Sequence, residues 1–169
     1  MNNVISIFFR FIIFLGLQIL LFNNIRFIGF INPQIYLITL LLLPLEIKKW
    51  MQYIIAFATG FVIDMFTNVY GIHSLASLLI IFVRPYFVFF INGFKPNDGV
   101  FKPLPGIKDF NWILIYTTGM CFLHQVLVSF LETFNMSQFF YTLWVAIVNT
   151  FFTVILILCV EYLFYNEKK

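Results

Sequence analysis

The sequence predicts an all-α, polytopic membrane protein with six transmembrane helices in one integral-membrane domain over 1–169. Three observations carry that prediction. Of the 169 residues, 62% are hydrophobic and only 10% are charged, so a soluble core cannot be wrapped in a polar shell. Apolar runs recur along the whole chain, leaving no room for a soluble domain. The cationic residues outside these runs are segregated, with Lys48, Lys49, Lys95, Lys102, Lys108, Lys168 and Lys169 on one predicted face and only Arg26 on the other. Because lysine and arginine accumulate in cytoplasmic loops, both termini are expected in the cytoplasm.

The predicted spans are 4–22, 34–47, 50–67, 72–91, 110–131 and 139–164. The first is followed by Asn23-Asn24-Ile25-Arg26 and lacks a small-x-small cleavage site, so it reads as an uncleaved span. Asn32-Pro33 reads as an N-cap with proline in the first turn, opening a second helix that is short for a crossing. A five-span chain is the alternative, but merging spans would scatter the lysines over both faces. The connection 92–109 carries Pro96, Pro103 and Pro105 with three glycines, a cytoplasmic loop rather than a helix.

Ionisable groups inside apolar runs are costly and therefore informative. Asp64 lies ~6 Å from the outer end of the third helix, with His73 just across the connection as its expected partner. Thr67, Asn68 and amides near Gly71 are further donors, so Asp64 is expected to organise this hairpin, with partner recognition as the sharper role. Arg84 lies ~12 Å from the inner end of the fourth helix, where snorkelling towards cytoplasmic phosphates is the simplest expectation. Pro85 then favours a kink beside it. Ala56 and Gly60 on the third helix, and Gly71, Ser74 and Ser77 on the fourth, form small-residue stripes that let backbones approach. Deeper in the bilayer, His124, Gln125 and Asn149 are expected to hydrogen-bond between helices.

Enzyme readings lack their parts. Asp98 and Asp109 belong to the cytoplasmic loop while Asp64 sits near the other face, so no aspartate dyad converges as in small lipoprotein signal peptidases. The sequence has no P-loop, GxGxxG or HExxH. Cys121 and Cys159 lack metal or redox spacing. A non-enzymatic protein without cofactor or metal is expected, and the charge pattern shows no nucleic-acid stripe.

The stretch ATGFVIDMFTNVYGIHSLASLLIIFVRPYF resembles the central region of the bacterial rod shape-determining MreD family, in which a glycine precedes an aspartate by four residues and another glycine opens the next helix. Here these are Gly60, Asp64 and Gly71. The opening FFRFIIFLGLQILLFNNIRFIGFINPQIYLITLLLLP is also similar to that family's start. The resemblance implies a scaffold of the cell-elongation machinery in the bacterial inner membrane, organising peptidoglycan synthesis. Its implied partners are MreC, together with MreB, RodA and the transpeptidase partner of RodA. It also implies a fold similar to the substrate-binding subunits of energy-coupling-factor vitamin transporters. Such a vitamin-capture subunit is the alternative function, and it would carry a polar cavity in its outer half.

Overall fold

The computed structural model describes residues 2–23, 31–45, 47–92 and 109–164. Among them the chain is helical: α1 (Asn2–Leu17), continued by one π-helical turn (Gln18–Phe22), then α2 (Leu37–Leu41), α3 (Lys49–Thr67), α4 (Ile72–Asn92), α5 (Phe110–Thr133) and α6 (Phe139–Phe164). Four stretches, Lys49–Thr67, Ile72–Asn92, Phe110–Thr133 and Phe139–Leu163, are long and apolar enough to cross a membrane. The apolar part of the first helix, Phe11–Phe22, is shorter. Most of the predicted loop 92–109 lies outside the described residues.

The four long helices run up and down, each antiparallel to the next. At one end the α3–α4 and α5–α6 connections lie together, and this is the hairpin end. At the other end Trp112 donates to Asn92 Oδ1 at 2.8 Å, tying the start of α5 to the end of α4. Phe110 meets Tyr162 there at a ring separation of 6.0 Å, which brings in the end of α6.

The predicted second span is corrected in kind. The described residues of 34–47 do not form a continuous helix; they make turns around the five-residue α2. This segment still travels between the ends, from Asn32 beside Asn149 of α6 to Ile47 beside Gln52 of α3. Every residue from Pro33 to Leu41 is buried, and Tyr36, Leu37, Ile38, Leu40 and Leu41 sit at the centre of the apolar core. Irregular backbone survives at membrane depth only where protein surrounds it and supplies the missing hydrogen bonds.

Those bonds come from side chains on the surrounding helices. Asn149 Oδ1 accepts from Asn32 N at 2.9 Å, and Thr153 Oγ1 accepts from Gln34 N at 3.1 Å. Gln18, held in the π-turn, donates to Pro33 O at 3.2 Å and accepts from Tyr36 N at 3.4 Å. Gln52 donates to the carbonyls of Leu45 and Ile47, at 3.2 and 2.7 Å.

Leu41 O is held by Arg84 Nη2 at 2.8 Å and by the Tyr116 hydroxyl at 3.1 Å. Arg84 is therefore not a snorkelling side chain. It is wholly buried, with Nε donating to Tyr116 Oη at 2.7 Å. Depth along a helix does not say which way a side chain faces, and here the free carbonyl of a broken helix attracts the guanidinium inward. Arg84 is thus withdrawn from any outer contact, and α4 continues through Pro85 to Asn92.

Candidate functional site

The α3–α4 hairpin is built around the Asp64 carboxylate. Oδ1 accepts from His73 N at 2.9 Å and from His73 Nδ1 at 3.0 Å. Oδ2 accepts from Ser74 N at 3.0 Å and from Ser74 Oγ at 2.6 Å. The amides of His73 and Ser74 lie in the first turn of α4, where backbone donors have no partner within the helix. Asp64 thus caps α4 from a different helix, adding a negative charge to the positive end of the helix dipole. His73 is the partner expected from sequence. Thr67 and Asn68, expected as further donors, do not serve the carboxylate: the Thr67 hydroxyl donates to Ile63 O at 2.9 Å within α3, and Asn68 shapes the backbone.

The connection between the helices depends on left-handed residues. Asn68 adopts φ 55° and its N–H bonds to Asp64 O, ending α3. Gly71 adopts φ 78° and presents its carbonyl to Leu75 N at 2.9 Å, opening α4. At Gly60 the two backbones touch: a Cβ there would overlap Ser74 Cα and come within 2.5 Å of His73 O and Ser74 N. Ala56, Ser74 and Ser77 are buried on the facing surfaces. Around Gly60 and Ser74 the small-residue faces therefore pack within the chain, while Gly71 borders open space.

A polar connection leads inward from this cap. His73 Nε2 lies 3.3 Å from Gln34 Nε2, and Gln34 N bonds Thr153 Oγ1, which also accepts from Gln125 Nε2 at 3.2 Å. Beside it, Tyr36 Oη is 2.9 Å from His124 Nε2. His124, Gln125 and Asn149 each bond to another element, as the sequence suggests. Gln18, Gln52, Tyr116 and Thr153 were missed, although isolated polar residues in apolar runs are a signal that could have found them.

Gln34, Gln125 and Asn149 also border a cavity of about 280 Å³ at the hairpin end, between α5, α6 and the 31–34 backbone. Its wall is dominated by amides and hydroxyls, with Glu132 at the exposed rim. A larger, mainly apolar groove of about 570 Å³ lies between α3 and α4, lined by Phe57, Phe61, Met65, Tyr70 and Leu75, with Asp64 and Ser74 at its floor.

Among the described residues, no group of three or more His, Cys, Asp and Glu side chains is placed to hold a metal. His73 and Asp64 form an ion pair when the imidazole is protonated, and no direct pair joins Arg84 to Asp64 or Glu161 among the described residues. Comparison with protein-family models, curated proteins and solved structures finds no match for the chain.

Proposed function

We propose that the chain is a non-enzymatic scaffold of a bacterial cell-elongation complex, placed in the cytoplasmic membrane with both termini inside. In this reading α1 and the buried 31–45 segment complete six crossings. The observation that carries it is the α3–α4 hairpin, where Gly60, Asp64 and Gly71, the residues of the MreD resemblance, each have a defined structural task. Together they hold a rigid pair of helices in fixed register.

Since the small-residue faces are occupied internally, the lateral contact to a single-span partner such as MreC falls to the aromatic groove between α3 and α4. Lys48 and Lys49 begin α3 at the end opposite the hairpins, in keeping with a cytoplasmic face there. In this reading the lysine-rich stretch 92–109 would lie on the same side and meet MreB filaments or anionic lipid, with RodA and its transpeptidase in the wider assembly.

Affinity purification of the tagged chain from its native membrane in mild detergent tests this reading. MreC in stoichiometric amount, with elongation enzymes, is the expected result. A transporter coupling subunit with paired ATPases in its place would overturn it. One observation favours that second reading, capture of a small vitamin: the polar cavity lies at the hairpin end, the outer half in this orientation.

A further inference from the structure

The groove between α3 and α4 changes character along its length. Its deep part is walled by Phe57, Phe61 and Met65 of α3 and by Leu75 and Leu78 of α4, with the rings of Phe57 and Phe61 stacked at 5.7 Å and 19°. Exposed polar groups join the lining only at the hairpin end, where the Asn68 side chain and the Tyr70 hydroxyl stand beside open backbone at Gly71. Asp64 and Ser74 in the floor ask nothing of an occupant, since both carboxylate oxygens and the Ser74 hydroxyl are already hydrogen-bonded within the hairpin. Phe57 and Asn68 stand ~16 Å apart along α3, so a volume of about 570 Å³ corresponds to a mean section of about 35 Å². An α-helix about 10 Å across has more than twice that section. Close approach of membrane helices relies on small residues, and those at Gly60 and Ser74 are used between α3 and α4, whereas the groove walls are large side chains.

We propose that in the free chain this groove binds one membrane phospholipid, an acyl chain lying along Phe57, Phe61 and Leu78 and the ester region resting at the Asn68–Gly71 turn. The order of the lining, apolar in depth and polar at the mouth, is that of the lipid itself, and tyrosine is at home at head-group level. The Asn68 amide and the Tyr70 hydroxyl are donors for ester oxygens. An empty groove would leave its wall atoms without dispersion partners on one side, and a hydrocarbon chain supplies them. Among the described residues the lining contains no lysine or arginine, so the acyl chain and the ester region, not head-group charge, determine binding. The inference does not rest on the scaffold reading; a partner span lying on this face displaces the lipid.

The test is native mass spectrometry of the full chain, purified in mild detergent and supplied in turn with phosphatidylethanolamine and phosphatidylglycerol of identical acyl chains. One lipid per chain is expected to survive the activation that strips the others, to the same extent for both head groups. Leu75→Trp, which fills the groove from its α4 wall, is expected to lower the retained fraction about fivefold. Phe61→Ala, which removes part of the α3 wall, serves if Leu75→Trp does not fold, with a smaller loss of the same sign. Phe151→Trp, on an exposed face of α6, is the control and should keep full occupancy. Retention of phosphatidylglycerol alone, no singly retained lipid, an equal loss in the control, or undiminished occupancy in the folded groove variants would overturn the proposal. So would a second copy or a partner span seated on this face of the purified chain with no lipid bound. Partner recovery from the membrane is read separately, so failure here and failure of the scaffold reading are distinguishable.

Discussion

The α3–α4 and α5–α6 hairpins turn at the same end of the molecule, yet one brings its backbones into contact beneath a mainly apolar groove and the other holds a polar cavity. In the first, Gly60 brings the backbones into contact and Asp64 fastens the start of α4 to the end of α3. In the second, the connection passes through Phe134 in a left-handed conformation and a short 3-10 turn, Met136–Gln138. Asn149 and Gln125 there bond the buried 31–45 segment and Thr153, leaving room between the helices. The same bilayer constraint has two solutions: Asp64 satisfies the start of α4 from within the pair, whereas Asn149 and Thr153 turn to the backbone of the 31–34 segment.

Substitutions can break this contrast. Gly60→Leu should have the largest effect, because the added side chain meets the α4 backbone, which cannot rotate away. A loss of about 3 kcal/mol or more, or failure to accumulate in the membrane, is expected in thermal unfolding and abundance measurements. Normal abundance with an unchanged unfolding temperature would show that the helices are not in contact.

Asp64→Ala should follow, since it strands two amides, the Ser74 hydroxyl and the His73 ring N–H. A cost of about 2–4 kcal/mol is expected, with Asp64→Asn milder because one acceptor remains. Partner recovery should also fall more for Asp64→Ala than for Glu132→Ala at equal membrane abundance, and equal recovery would remove Asp64 from the assembly argument.

Arg84→Met comes next, at about 2 kcal/mol, because Leu41 O then keeps only the Tyr116 hydroxyl. Arg84→Lys should recover part of this loss, since one ammonium cannot reproduce the planar donor arrangement. In the α5–α6 hairpin, Thr142→Val should change stability by less than ~1 kcal/mol, because its hydroxyl has no partner to lose. A loss there as large as that of Asp64→Ala would erase the distinction between the hairpins.

Much of the α3–α4 hairpin was legible in the sequence. Helix boundaries at Thr67 and Ile72 follow from the turn residues between them, and Asp64 with His73 follows from depth and proximity alone. Gly60 was legible as a small residue, though not the partner it touches. The α5–α6 side was less so. Nothing in the apolar run 34–47 distinguishes a lipid-facing helix from backbone wrapped in protein, because both select leucine and isoleucine. The difference lies in single polar residues far away in sequence, Gln18, Gln52, Arg84 and Thr153, each of which looks like an isolated irregularity until the helices are assembled. The direction of Arg84 was misjudged for that reason: its partner is a carbonyl, and the amino-acid string does not display a free carbonyl.

The buried 31–45 segment also constrains biogenesis. Released into lipid by itself, this stretch would expose the amides of Asn32 and Gln34 and the carbonyl of Leu41 to hydrocarbon. Its partners Arg84, Tyr116, Asn149 and Thr153 are all synthesised later. The turns seen here are therefore satisfied only once α4, α5 and α6 are in place around them. A segment made early takes its final conformation, on this account, only when helices made after it have assembled.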